Sequence, residues 1–269
     1  MSKMMVLIVL AGVALPMLAL ADFNVYFLRH GETDWNREKR LQGSVSNTVL
    51  TAKGVRMAEE TADGMFKTGL GFDRIYTSPY ARARDTARIV ARKTGPEPVV
   101  DRRLREMCFG KYEGLHYGAG NYPDENLRLF FEGDADRYVP QGNGAESFAQ
   151  VQSRLRDFLE NELRPQDGEV TNILCVTHLL VLKSLVRELA DEDATTATKK
   201  TLQPNCCVHT VRYEGGKFKL VDTGRVYYTA DDLWPGFVKV EYSNLMGTLP
   251  LIRRLVGSNV RLRGRFIVQ

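Results

Sequence analysis

The stretch Arg29-His30-Gly31-Glu32-Thr33-Asp34-Trp35-Asn36 follows directly on the apolar run FNVYFL at 23–28. A strand that releases a charged pair and a flexible residue at its carboxyl end marks the edge where open α/β sheets bind ligands. A second apolar run, Val170–Thr177, ends directly in His178. Arg82 falls in the first turn of the helix that follows a third strand-like run. Each feature alone is a weak signal; their shared placement at strand ends carries the argument.

Together these residues suit phosphoryl chemistry. Two guanidiniums match the oxygens of a phosphate through charge-assisted hydrogen bonds. A phosphate monoester brings roughly −1.5 to −2 charge near neutral pH. The helix after His178 would add backbone donors and a partial positive charge. One neutral imidazole can attack phosphorus and form a phosphohistidine, while the other steadies the transferring oxygens. Positioning and charge stabilisation carry most of such a reaction, so no metal or cofactor is required. The leaving alkoxide still needs a proton from a carboxylic acid. On residue types alone, Asp101, Glu106 and Glu113 are all candidates.

The elements that must position these residues can be read from the pattern. Thr51 caps a helix running to about Gly69, FDRIYT at 72–77 is strand-like, and Ser78-Pro79 opens a second helix. Pro98–Asp101 is a short strand. Residues 102–145 form an irregular insertion with short helices. Ser147 caps a helix whose Phe148, Val151, Leu155, Phe158, Leu159 and Leu163 keep helical spacing. LLVLKSLVREL is helical, and Cys206–Tyr213 with Phe218–Val221 make a closing hairpin across Glu214-Gly215-Gly216. Strands alternating with helices imply a mainly parallel sheet covered on both faces.

The chain has 269 residues, 43% hydrophobic and 26% charged, with a net charge of +4. That is ordinary globular composition and too mild a charge to argue for nucleic acid. Lys3, the apolar run Met4–Leu20 and Ala19-Leu20-Ala21 have the layout of a secretory signal peptide cleaved after Ala21. The division expected is therefore a signal peptide at 1–21, one domain at 22–228 and an extension at 229–269. An uncleaved membrane anchor is the alternative for the first segment. Membrane contact is otherwise not expected, and the oligomeric state is left open. Within the extension, residues 233–269 are basic, with Lys239, Arg253, Arg254, Arg261, Arg263 and Arg265 against Glu241, and VKVEY and VRLRGRFIV alternate like strands. Cys108, Cys175, Cys206 and Cys207 lack metal-ligand spacing and read as free buried thiols.

LRHGETDWN, RLQG at 40–43, YTSPYARARDTA at 76–87, LREMCFGKYEG at 104–114, GAESF at 144–148 and VTH at 176–178 resemble the histidine phosphatase superfamily, in its phosphoglycerate mutase-like branch. The resemblance spans roughly residues 23–221 in the expected order. It implies an α/β fold, a three-layer sandwich around a mainly parallel central sheet, phosphoglycerate mutase-like. It implies His30 as the nucleophile, with Arg29, Arg82 and His178 completing the phosphate pocket. Asn36, Gln42 and Gly43 match positions lining that pocket, and Glu106 matches the proton donor. Glu113 and Ser147 read as structural. The implied activity is an acid-type, metal-independent phosphomonoesterase acting on a small phosphorylated substrate; the exported (periplasmic or secreted) location is expected from the signal peptide. A mutase, or a non-catalytic phosphate-binding module, is the alternative. Three departures stand out. Leu179 replaces the glycine usual after the second histidine, Tyr112 stands where relatives carry tryptophan, and the mutases' paired-arginine segment is absent from 105–145.

Overall fold

Strand β1 (Phe23–Arg29) divides its side chains between two cores. Phe23, Val25 and Phe27 enter one, and Leu28 enters the other, as a two-residue period requires. Strand β4 (Asn172–Thr177) divides likewise, with Ile173 and Cys175 opposed to Leu174 and Val176. Strands buried on both faces read as near-continuous apolar runs, and these two do.

The computed structural model describes residues 22–45, 47–117, 122–132, 135–189 and 203–228. The segment read as a signal peptide and the basic extension with its two alternating runs lie outside the described residues. Within them, β1 and β4 join β2 (Arg74–Thr77), β3 (Val99–Val100), β5 (Val208–Glu214) and β6 (Lys217–Arg225) in one sheet of order β3-β2-β4-β1-β5-β6. The first four are parallel; β5 and β6 add antiparallel. The sheet is thus mixed, with the parallel part carrying the strand ends of interest.

Helices α2 (Ala52–Lys67) and α3 (Ala81–Thr94) cover one face through Met57, Ala58, Ala83, Ala87 and Val90. Helices α5 (Phe148–Phe158) and α6 (Leu179–Leu189) cover the other through Val151, Leu155, Val181 and Leu185. Burying each valine, leucine or methionine among these contributes about 1.5–3 kcal/mol. Thr51 caps α2, and Ser147 caps α5 in a reciprocal box with Gln150. The insertion contains helix α4 (Glu125–Glu132) and 3-10 turns at Arg102–Leu104, Gly110–Tyr112 and Ala135–Arg137.

Several boundaries differ from the sequence reading. Helix α3 starts at Ala81 rather than at Ser78-Pro79. The Ser78 N–H still belongs to the sheet, donating to the Val176 carbonyl at 3.0 Å, so the chain must turn before it can coil. Helix α5 ends at Phe158 and passes into a π-helical turn, Leu159–Leu163, which keeps both leucines buried. Strand β6 runs to Arg225, beyond Val221, because its partner β5 continues to supply pairing. Cys108 is only partly buried, although all four cysteines are free thiols.

Candidate active site

Register brings the histidines together. Arg29 pairs with Thr177 across β1 and β4, so His30 and His178 leave adjacent strand ends side by side. Their ring centroids stand 5.1 Å apart. The His30 N–H donates to the Thr177 carbonyl, which holds this exit rigid. Gly31 is required there. A Cβ on it would lie 2.5 Å from the Gly54 carbonyl oxygen at the start of α2.

His30 is 3% exposed. Its Nδ1 lies 2.8 Å from the Gly31 carbonyl oxygen. A carbonyl only accepts, so Nδ1 carries the proton and Nε2 keeps its lone pair. Burial, then the charges of Arg82 and Arg29, hold the imidazole well below its ordinary value of 6.5. It is therefore neutral at neutral pH, as a nucleophile must be.

Arg82 is fully buried, and burial lowers its pKa to about 10, still charged at neutral pH. Its guanidinium organises the loop after α1 (Asp34–Arg37). Nη1 donates to the Val45 carbonyl and Thr48, Nη2 to the Gly43 carbonyl, and Nε to Nδ1 of His178. Among these bonds one Nη2 hydrogen remains for a ligand, fewer than the paired clamp expected from sequence. Because Arg82 only donates, His178 accepts at Nδ1 and carries its proton on Nε2, 2.7 Å from Ser78 Oγ. Burial, then Arg82, keeps His178 neutral as well.

A cavity open to solvent lies at this edge. Arg29, His30, Asn36, Gln42, Gly43, Arg82 and Glu106 line it; His178 does not. The second histidine sits behind the wall, against Arg82 and Ser78. Arg29 donates through Nη1 to the Gln203 carbonyl at 2.6 Å. Asn36 Oδ1 accepts from the Thr33 N–H and from Asn205 Nδ2, and Gln42 Oε1 lies 2.9 Å from the Thr33 hydroxyl. The carbonyl ends of both amides are thereby engaged, and their NH2 groups remain as donors. Gly43 adopts φ +50° beneath Glu113, whose carboxylate accepts from Ser44 and the Phe109 N–H. Any side chain at 43 would strike that carboxylate. Glu113 is thus a loop anchor, as read from sequence.

Of the three acids left open by residue type, Glu106 is the one lining the cavity. Asp101 instead caps the Arg102–Leu104 turn and pairs with Arg103. The Glu106 carboxylate accepts from the Met107 and Leu180 N–H groups. Here the structure departs from expectation: the first turn of α6 gives the Leu180 donor to Glu106. Burial outweighs these bonds and the attraction of Arg82, so the carboxyl is pushed above its ordinary value. Behind it, Glu146 bridges Arg105, Arg154 and the Cys108 N–H, which fixes both ends of the Glu106 segment.

Ser78, Asn205, Glu146 and Arg154 are not identified as site residues from sequence. Ser78 follows β2 as His30 follows β1, so the strand-end argument could have reached it. Asn205 and Arg154 arrive from distant segments and carry no local signal, whereas Glu146 lies in the GAESF motif and reads from sequence as part of a helix-start cap. Among the described residues, no group of three or more His, Cys, Asp or Glu gathers as metal ligands do.

Comparison with known proteins places this geometry in a family. The profile of the histidine phosphatase superfamily (branch 1) matches residues 25–225. A probable phosphoglycerate mutase, GpmB, from Shigella boydii is 34% identical over 210 residues, covering 78% of this chain and 93% of that protein. Phosphoserine phosphatase from Entamoeba histolytica, solved with 3-phosphoglyceric acid, superposes with a TM-score of 0.63 at 28% identity, covering 76% of this chain and 98% of that one. YhfR from Bacillus stearothermophilus superposes with a TM-score of 0.66 at 31% identity, covering 76% and 98% respectively. With its profile, its sheet and its strand-end histidines in agreement, this chain belongs to branch 1 of the histidine phosphatase superfamily.

Proposed function

We propose that this protein is a phosphoric monoester hydrolase that works through a phosphohistidine on His30, without a metal. The observation that carries the reading is a neutral His30, its proton held on Nδ1 by Gly31, in one cavity with the raised carboxyl of Glu106. Nε2 of His30 attacks phosphorus. The P–O bond to the alcohol breaks, and its electron pair leaves with oxygen, which takes the Glu106 proton. Glu106, now a carboxylate, accepts a proton from water. That water attacks phosphorus, the P–N bond breaks, and His30 recovers its lone pair as phosphate departs. Arg29, Arg82 and the amides of Asn36 and Gln42 stabilise the equatorial oxygens, with Gly43 giving them close approach. His178 orients Arg82 and backs His30. The pH profile follows from the two groups, with His30 setting an acid limb below 6.5 and Glu106 a basic limb above the ordinary carboxylate range.

The test is hydrolysis of 4-nitrophenyl phosphate by the purified protein in chelator, beside His30→Ala. The parent protein turns over and the variant loses at least about 10⁴-fold. Equal rates sink the assignment of His30. No hydrolysis by the parent sinks the reading. The likeness to a probable phosphoglycerate mutase favours a second reading, phosphoryl transfer between positions of a sugar acid. Interconversion of 2- and 3-phosphoglycerate faster than phosphate release would establish it.

Export by the 1–21 segment is part of the same proposal. Cleavage after Ala21 leaves Asp22, which pairs with Arg212 just before β1. The N-terminal residue of the mature protein decides, Asp22 for cleavage and Met1 for an anchor.

A further inference from the structure

The phosphate end of the cavity is polar, and its other side is not. Leu41, Phe109, Tyr117, Phe131, Leu179 and Leu180 line it. The aromatic members are ordered as a wall. Phe131 stacks on Tyr117 with centroids 5.4 Å apart and planes 10° apart, and on Phe109 at 6.2 Å and 20°. Tyr122 lies on the same ring at 5.8 Å and 12°. Phe109 is buried, whereas Tyr117, Phe131 and Leu179 are only half-buried, so the wall keeps surface for a ligand.

Among the described residues that line this side, Arg40 is the cation, and its charge is already matched. Its Nε donates to the Gly114 carbonyl, Nη1 pairs with Glu38, and its guanidinium lies 4.1 Å from the centre of the Trp35 ring. A substrate carboxylate at this position would lose water against leucine and phenylalanine without gaining a dedicated partner among the described lining residues. A flat apolar group would gain burial and stacking. Leu179 adds to this side a bulk that the family's usual glycine would not supply.

The geometry points to phosphate monoesters whose alcohol carries a flat, uncharged hydrocarbon group, an aryl or arylalkyl phosphate, as the preferred substrate class. This rests on the phosphatase reading and names the occupant of the same cavity. Phosphate is held at the strand ends while the ring lies along Phe131 and against Leu179. The stacked order of Tyr117, Phe109 and Phe131 keeps that face flat before substrate arrives.

The experiment compares kcat/KM of the full chain for 2-phenylethyl phosphate, glycerol 3-phosphate and phosphoserine. All three release primary alcohols, so binding rather than leaving-group chemistry separates them. The arylalkyl ester is expected to be preferred at least about tenfold, chiefly through KM. Phe131→Ala brings that ratio towards one. Phe131→Leu, which keeps apolar volume but loses the flat face, lowers it less. Equal or faster use of phosphoserine overturns the substrate assignment and leaves the phosphatase reading standing. A ratio unmoved in both variants overturns the role of the wall. Hydrolysis of none of the three overturns the phosphatase reading and this proposal with it.

Discussion

The floor and the wall of the cavity are built by different means. The floor is the carboxyl edge of β1, β2 and β4, where His30, Ser78 and His178 follow consecutive neighbouring strands. Sheet bonds from His30 to Thr177 and from Ser78 to Val176 set their positions. The wall comes largely from residues 102–145, whose described residues form no sheet strand and depend on ion pairs and ring packing. Glu106 is held there by two N–H groups and by the Glu146–Arg105–Arg154 cluster. Under the proposed function, the difference assigns the phosphoryl group, common to every ester, to the floor and the alcohol, which varies, to the wall.

That contrast can be broken. Arg82→Ala removes the floor's central guanidinium together with its bonds to Gly43, Val45, Thr48 and His178. A loss of about 10³-fold in kcat/KM is expected, equal for aryl and alkyl phosphates, with a lower Tm. A loss confined to one ester class would break the division of labour.

Glu106→Gln removes the acid and keeps the shape. The expected loss is about 10²–10³-fold for alkyl phosphates and less for 4-nitrophenyl phosphate, whose alcohol leaves without help. In the proposed mechanism protonated Glu106 is the working form, so parent activity is expected to decline as pH rises through its raised value. The variant loses that basic limb, and a parallel series of pH–rate measurements reads it directly. The acid limb, set by His30, stays.

Glu146→Gln sharpens the comparison within the wall. It leaves the mostly buried Arg154 with only part of its compensation, at about 2–4 kcal/mol in stability by denaturant titration. Activity falls about tenfold as the Glu106 segment loosens. Arg154 draws the Glu106 carboxyl down, so with Glu146 neutralised the basic limb moves to lower pH. A limb that stays in place would separate the two acids.

Ser78→Ala is the mildest. It strips the acceptor from His178 Nε2–H, a buried donor, and stability falls by about 1–3 kcal/mol. Rates drop only about threefold, alike for all esters, because His178 does not line the cavity.

Much of the floor is legible in the sequence because its signals are local. FNVYFL and ILCVT are apolar on both faces, so they announce buried parallel strands, and the residues leaving those strands must lie at one edge. The start of α3 is misplaced because Ser78-Pro79 looks like a helix opening when the sheet's claim on the Ser78 N–H is not visible. The geometry of Arg82, His178 and the α6 N-terminus escapes for the same reason. Each has several possible partners, and only packing selects among them.

By itself the sequence determined the alternation of strands and helices, the two strand-end histidines and the family motifs, because periodicity and caps act over a few residues. The family motif singled out Glu106, but only the tertiary structure showed that it lines one cavity with His30 while Asp101 and Glu113 do not. It also decided that His178 stands behind Arg82, and that Phe131, Tyr117 and Leu179 share a cavity with the phosphate site. These relations join segments up to about 150 residues apart, as between Arg29 and Thr177 in the β1–β4 register. Such contacts arise from how the sheet brings its parallel ends to one edge, which no local pattern encodes.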